Sequence, residues 1–264
     1  LSDLSTRAKL ILSKVSFIAC EDTRRAQILL KSFGAKTPLI SFHKHNTKSR
    51  IPKLLEHLES GESLALISDA GLPGISDPGE ELVSEIKNKG YEVICIPGAC
   101  AAIAALVSSG LPSKRFCFEG FLPTKTKERK KAIEAISKEE RTTVIYESPH
   151  RIMNLLEDLS NSCGEDRPLQ LARELTKRYE QTLGSNIGEV LKYLKEHKIK
   201  GEFTIVLGGL SKQPVIEKDK TELLIEINSL ISQGTSKSEA IKKVSEENNY
   251  SRRVLYSLIH EQSG

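Results

Sequence analysis

The sequence predicts an α/β protein: two α/β lobes with mainly parallel sheet, followed by a small all-helical extension. Three observations predict it. Short β-branched runs alternate with runs of helical period, the pattern of strand–helix–strand units. The strand runs are apolar throughout, which suits strands covered on both faces. The β pattern then stops after Gly208-Gly209, and only helical periodicity follows. A length of 264 residues, 38% of them hydrophobic, is enough for more than one core. Domains hold roughly 100–200 residues each.

The elements follow in order. Leu4, Ala8, Ile11 and Leu12 mark the apolar face of a first helix, and Phe17–Cys20 and Leu39–Phe42 read as strands. Ile51, Leu54, Leu55 and Leu58 mark a second helix face. Leu64–Ser68 is a strand, Glu80–Lys89 a helix, Glu92–Ile96 a strand and Ala99–Ser108 a helix of small residues. Gly110-Leu111-Pro112-Ser113 breaks the chain, so the first lobe is set at 1–111. Phe116–Glu119, Thr142–Tyr146, Leu169–Ala172 and Phe203–Leu207 are the strands of a second lobe, 112–210, with helices at Lys127–Ser137 and His150–Leu159.

The extension, 211–264, opens with a linker at Ser211–Pro214. Its first helix is apolar at Leu223, Leu224, Ile227, Leu230 and Ile231, and Gly234 is its C-cap. Ser236-Lys237-Ser238-Glu239 fits a capping box. Asn248-Asn249-Tyr250 turns the chain, and Ser251 caps a last helix with Val254, Leu255, Leu258 and Ile259 on one face. Three short helices with a tight turn before the last resemble a helix-turn-helix. Arg252 and Arg253 then stand where that motif meets nucleic acid. Basic and acidic residues are equal in number across the extension, which weakens that reading. A packing or dimerisation tail is the alternative.

Composition excludes several classes. Against 39 Lys and Arg stand 35 Asp and Glu, a net +4, so any polyanion must be met by local patches rather than a bulk field. Cys20, Cys95, Cys100, Cys117 and Cys163 form no C-x-x-C pair, which excludes zinc ribbons and points to buried thiols of a cytoplasmic protein. The longest apolar run, Ala99–Val107, is far short of the ~20 residues of a membrane span, so no membrane is expected. His43 and His45 have no carboxylate or Cys beside them in sequence, so no metal site is expected.

The chemistry should sit at strand ends. Ser68-Asp69-Ala70-Gly71-Leu72-Pro73-Gly74-Ile75-Ser76-Asp77-Pro78-Gly79 follows a strand and precedes a helix, the place where open α/β sheets bind ligands. Its glycines allow close backbone approach. It carries no Lys or Arg, and the chain has neither a P-loop nor a G-x-G-x-x-G, so nucleotide polyphosphates lose support. A cationic or neutral ligand fits better, S-adenosylmethionine among them. Pro97-Gly98-Ala99-Cys100-Ala101 repeats the placement. Tyr146-Glu147-Ser148-Pro149-His150-Arg151 and Ala172-Arg173-Glu174-Leu175-Thr176-Lys177 set carboxylates beside cations after strands. Such groups can orient a hydroxyl, accept a proton or bind phosphate, or form surface ion pairs.

Taken together, these blocks resemble one family: the bacterial ribosomal RNA small-subunit methyltransferases I, of the tetrapyrrole-methylase-like class III methyltransferases. The matching blocks are Ala19–Arg24, Ser68–Gly79, Ile96–Ala99, Glu119–Pro123, Tyr146–Arg151, Ala172–Lys177 and Gly201–Thr204, in family order. The resemblance implies S-adenosylmethionine in a cleft between the lobes, held by Ser68–Ser76 and Pro97–Ala101 and closed by Tyr146, Glu202 and Thr204. It implies a homodimer and methyl transfer to a cytidine ribose 2′-hydroxyl of 16S rRNA in the decoding region, on free RNA or the 30S subunit. Glu147 and Glu174 are the base candidates; Arg173 and Lys177 are candidates for the neighbouring phosphate. Arg24, Lys44, Asn46 and the basic helix Lys125–Lys131 are candidates for the RNA path.

Two departures stand out. Leu72 replaces the family's usual Thr. The family's first strand and its Pro-Ile-Gly-Asn turn do not precede Leu1. The resemblance implies a strand of about 5–6 residues there, central in the first lobe, and a sequence incomplete at its start. The rival functions are methylation of a corrinoid or porphyrin precursor, and a non-catalytic nucleic-acid-binding regulator or assembly factor.

Overall fold

The structure, a computed structural model, describes residues 2–210, 220–248 and 250–261. The chain packs as two compact units, Leu1–Gly209 and Leu210–Gly264. The expected linker Ser211–Pro214 and the turn residue Asn249 lie outside the described residues.

The first unit contains two sheets. In the first, β1 (Phe17–Cys20) lies between β2 (Leu39–Ser41) and β3 (Leu64–Ile67), all parallel. Helices α1 (Thr6–Leu12), α2 (Thr23–Lys31), α3 (Thr47–Glu59) and α4 (Glu80–Asn88) cover it. Two starts are fixed by side-chain caps: Ser5 accepts from the Ala8 N–H, and Asp22 from the Arg24 N–H. β1 is buried at every position because both faces are covered. Phe17 and Ala19 pack with Leu54, Leu55 and Leu82, while Ile18 packs with Leu12 and Leu30.

The expected strand Glu92–Ile96 does not form. Among the described residues no backbone–backbone hydrogen bond reaches 92–99, and Val93 and Ile94 are 40% and 59% exposed. The residues are good strand formers, but a strand exists only through its partner's ladder, and β3 pairs only with β1. The same absence corrects the cysteines: Cys20 is buried, Cys95 is exposed, and the other three are intermediate.

The second sheet has the order β4-β5-β8-β6-β7, from β4 (Phe116–Phe121), β5 (Thr142–Glu147), β6 (Leu169–Arg173), β7 (Gln181–Leu183) and β8 (Phe203–Leu207). Only β4–β5 is parallel here; the pairs β5–β8, β8–β6 and β6–β7 are antiparallel. The mainly parallel expectation therefore holds for the first sheet and not for this one. A short loop joins β6 to β7, and loops of that length join antiparallel neighbours. β7 itself has the polar sequence Gln-Thr-Leu and escapes an apolar-run reading.

Alternation along these strands decides what faces what. Ile145, Leu171, Phe203, Ile205 and Leu207 face α6 (Thr126–Lys138), α7 (Ile152–Cys163) and α8 (Ile187–Glu196). Leu155, Leu156 and Leu159 of α7 are fully buried there; each truncated to Ala would cost about 2–5 kcal/mol. On the opposite face, Val144, Ala172 and Val206 pack with Ala102, Ala105 and Leu106 of α5 (Ala101–Ser108). The small residues of α5 let it lie against this sheet.

The second unit has its own core. α9 (Lys220–Ser232), α10 (Lys237–Glu247) and α11 (Arg252–Glu261) bury Leu223, Ile227, Ile241, Val244 and Leu255 together. Gly234 adopts φ +93°, as its capping role requires. Ser236 accepts from the Glu239 N–H, but the Glu239 carboxylate takes the Ser236 hydroxyl rather than its backbone N–H. Ile259 is buried with Leu255, whereas Val254 is 39% exposed.

Candidate functional site

The loop after β3 is shaped by four residues in the left-handed region: Gly71, Gly74, Ser76 and Gly79. A Cβ on Gly71 would stand 3.3 Å from the Ala99 carbonyl oxygen, so this loop and the Pro97–Ala101 segment meet through a glycine. The Ser68 hydroxyl donates to the Gly71 carbonyl at 3.1 Å and closes the turn. Asp69 accepts from the Asp22 N–H at 3.2 Å and pairs with Arg25 at 3.3 Å. Burial first, and then Asp69 and Asp22, push the Cys20 thiol up to about 11.

Asp77, on the same loop, was not among the predicted site residues. Burial raises its carboxyl above the ordinary range, and Glu21, Asp69 and Glu202 add to the effect against a Ser68 hydrogen bond. Sequence carries part of this signal: Asp77 lies in the same glycine- and proline-rich loop, but its burial does not show there.

The second sheet meets this loop at Gly120 and the start of α5 at Tyr146. A Cβ on Gly120 of β4 would fall 2.8 Å from the Ser76 hydroxyl oxygen. The Tyr146 hydroxyl accepts a hydrogen bond from the Ala102 N–H at 2.9 Å. Tyr146 is half-buried, and burial pushes its hydroxyl up to about 12. Thr204 pairs with both Tyr146 and Ala172 and is buried in the middle of this face.

Glu147 goes the other way. Strand alternation turns it to the helix side, away from Tyr146. Its side chain is fully buried, 3.2 Å from Arg151 and 3.6 Å from Arg129, and Arg129 also holds Asp158 at 2.9 Å. Its Oε1 accepts the Ser148 N–H at 2.8 Å. Glu147, a base candidate in the sequence, thus lies in a buried ion-pair cluster on the helix side. Arg129 is likewise removed from the exposed basic face of α6, where Lys127, Lys130 and Lys131 remain, with Lys125 exposed just before it.

Glu174, Lys177 and Glu202 come together beyond β6. The Glu174 carboxylate accepts the Glu202 N–H at 2.9 Å and the Lys177 ammonium at 3.1 Å, and Lys177 reaches Glu202 at 3.0 Å. These contacts, the Glu202 N–H first, hold the Glu174 carboxyl below the usual range. Glu174 has φ +51°, and a Cβ on Gly201 would collide with its side chain. Arg173 donates through Nε to the Lys200 carbonyl at 2.6 Å. Asn46 uses its amide on the His43 N–H and the Ser41 carbonyl, closing its own loop. Lys44 is exposed, and Arg24 pairs with Asp22 at 2.8 Å while its side chain stays 88% exposed. The Arg253 side chain lies outside the described residues.

Among the described residues no group of three His, Cys, Asp or Glu could hold a metal ion, and no helix is long and apolar enough to cross a membrane.

Comparison with known proteins adds three findings. Residues 1–191 match the family Tetrapyrrole (Corrin/Porphyrin) Methylases. A Synechocystis protein named Ribosomal RNA small subunit methyltransferase I is 44% identical over 258 residues, 98% of this chain and 92% of that protein. A Pasteurella multocida protein of the same name is 42% identical over 258 residues, 97% of this chain and 91% of the relative. Among solved structures, a cobalt precorrin-4 methyltransferase aligns with a TM-score of 0.59 at 14% identity, covering 78% of this chain and 89% of that one. A Thermus thermophilus uroporphyrin-III C-methyl transferase, complexed with S-adenyl homocysteine, aligns at 0.53 and 17% identity, covering 78% and 91%.

Proposed function

The chain belongs to the Tetrapyrrole (Corrin/Porphyrin) Methylases and to the ribosomal RNA small subunit methyltransferase I group within them; from that premise we propose that it transfers a methyl group from S-adenosylmethionine to small-subunit ribosomal RNA. The acceptor in this reading is the ribose 2′-hydroxyl of a cytidine in the decoding region of 16S rRNA. The observation that carries it is the shared name of relatives matched over 97% and 98% of this chain. The fold neighbours support the fold alone.

The residues present fit the cofactor. Gly71 lets the two small-residue segments approach closely, and the loop carries two carboxylates, Asp69 and Asp77, and no Lys or Arg. Such a setting favours a cation over a polyphosphate. Ser68–Ser76 and Pro97–Ala101 would hold it, with Tyr146, Glu202 and Thr204 from the second sheet. S-adenosylmethionine supplies, when bound, a methyl group on a cationic sulfur.

The protein's part is to position and to manage a proton. Alignment of a bound nucleophile removes much of the entropic barrier. A ribose hydroxyl needs help in losing its proton, and an efficient acceptor has a pKa near the working pH. Burial raises the Asp77 carboxyl above the ordinary carboxylate range, so we assign it the acceptor role. Glu174 is tied to Glu202 and Lys177 and held low, so we assign it and Lys177 to shaping the β6–β7 loop. Arg173 keeps its terminal N–H groups for a phosphate. RNA would dock through phosphates on Lys44, Arg24 and the lysines of α6, with the target nucleotide drawn out of its stack. A homodimer in the cytoplasm completes the reading, and light scattering gives the mass directly.

Transfer of tritiated methyl to 30S subunits, compared with free 16S rRNA and a porphyrin precursor, tests it. The expected product resists alkaline cleavage at one cytidine, since a methylated 2′-oxygen cannot attack its phosphate. Label on the porphyrin, or on neither RNA, would favour the rival functions.

A further inference from the structure

We propose that Phe121 is a stacking surface for the extruded target nucleobase, a substrate-positioning element that rests on the RNA reading above. A single exposed phenylalanine is ordinary. What singles this one out is a bulge that turns it toward the candidate site.

In the register of β4 against β5, Phe118 pairs with Val144 and Gly120 with Ile145, so Glu119 is an extra residue. Side chains alternate along a strand, and Phe118 and Phe121 would ordinarily point to opposite faces. The inserted residue brings both to one face: Phe121 pairs with Tyr146, two positions beyond Val144. The rings of Phe118 and Phe121 then lie 5.1 and 5.7 Å from that of Tyr146. Bulges that re-aim a side chain are common beside active sites.

The local backbone is built for this. Gly120 has φ +60° and no room for a Cβ against Ser76, so the bulge abuts the candidate cofactor loop. Phe121 follows it at the strand end with 53% of its surface exposed. Next in the chain, Leu122 is buried in the helix-side core, and its carbonyl accepts from Arg151 at 2.8 Å. The ring is therefore held by fixed neighbours on either side of it in sequence. Exposed lysines at 125 and 127 follow within one turn of α6. A flat apolar face with cations nearby is what a splayed nucleotide requires: stacking for the base, charge for its phosphate. The adenine of the cofactor has the same flat chemistry, and the test separates the two.

Phe121→Ala, Phe121→Trp and the wild type should be compared in three measurements: affinity for S-adenosylmethionine, affinity for a short oligocytidylate, and KM against kcat on 30S subunits. Phe121→Ala should weaken oligocytidylate binding about tenfold and raise the 30S KM, leaving S-adenosylmethionine affinity within about twofold. Phe121→Trp should restore RNA binding. Unchanged RNA binding in Phe121→Ala overturns the proposal. So does a matching loss of cofactor affinity, which would assign the ring to adenine, or a change of mass by light scattering, which would assign it to a subunit interface. Failure of the wild type to methylate 30S subunits would instead sink the ribosomal reading, and oligocytidylate binding would still report on Phe121.

Discussion

The Tyr146 hydroxyl caps the start of α5, the helix packed on its own sheet. α5 begins after Cys100, whose side chain makes no cap hydrogen bond, and the Ala102 N–H is instead taken by Tyr146 Oη at 2.9 Å. One bond thus couples the end of β5 to the helix that follows the Pro97–Ala101 segment. Tyr146→Phe should leave that N–H without a partner and cost about 1 kcal/mol in urea unfolding. It should also weaken S-adenosylmethionine binding severalfold. The raised hydroxyl adds a pH signature. Its folded pKa of about 12 exceeds the ordinary 10.0, so its contribution is complete below pH 10 and is lost as pH climbs through 12. The wild type should lose stability over that window more steeply than Tyr146→Phe.

Glu147 should matter for folding and not for chemistry. Its carboxylate neutralises Arg129 and Arg151 at 3.6 and 3.2 Å with its side chain fully buried. Removing one member of a buried pair leaves uncompensated charge and costs about 3–5 kcal/mol. Glu147→Gln should lower the urea midpoint sharply. At a temperature where it remains folded, its kcat should stay within a few-fold of wild type. A loss of about 100-fold in kcat with normal stability would return Glu147 to the list of bases.

Asp77 should show the opposite pattern. Its pKa is raised chiefly by burial and then by Glu21, with Asp69 and Glu202 adding. A carboxyl raised on folding helps stability below the ordinary carboxylate range, and that help is gone once pH passes its folded pKa. At neutral pH the charged group is therefore a burden, and Asp77→Asn should raise Tm. The same change should lower kcat about 100-fold or more if Asp77 takes the proton, and abolish the acidic limb of the pH–rate profile. A variant with unchanged kcat would leave Asp77 as a cofactor-side charge only.

The cofactor loop can be tested against a control glycine. Gly71 and Gly61 have φ of +83° and +79°, but a Cβ on Gly71 meets the Ala99 carbonyl while Gly61 faces open space. Alanine at either position costs about 1 kcal/mol of backbone strain. Only Gly71→Ala should also weaken S-adenosylmethionine binding, by about tenfold or more by titration calorimetry. Equal effects on binding would mean that the close approach is not part of the site.

What the sequence made legible follows what is local. An apolar run such as Phe203–Leu207 is buried at every position, and the small-residue helix at Ala101–Ser108 buries one face against the second sheet, so composition marks both. Pairing is not local. Nothing in the residues 92–96 says that they stay unpaired, and nothing in Gln181–Leu183 says that a polar tripeptide closes the sheet edge. The site divides the same way. Loop 68–76 is visible in its glycines, and Tyr146 in its strand-end placement. The face that Glu147 takes is not legible from its strand-end position, because adjacent residues on a strand point in opposite directions. Asp77 stands apart from the other loop residues through burial, which raises its carboxyl and which residue type does not reveal.

Cysteine reactivity probes the unpaired segment directly. Cys20 lies inside β1, is buried, and has its thiol pushed up to about 11. Thiolate is the reactive form, so at pH 8 only about one part in a thousand is available even before access is considered. Cys95 is exposed in a segment with no backbone hydrogen bonds among the described residues. An aromatic disulfide reagent should therefore label Cys95 in the native protein within minutes, and Cys20 only with global unfolding. Amides of Val93–Ile96 should exchange with deuterium rapidly, whereas Ile18–Cys20 should exchange only through large openings. Slow labelling of Cys95 together with protected amides would show that residues 92–96 are covered in solution, by a pairing strand or by a second subunit.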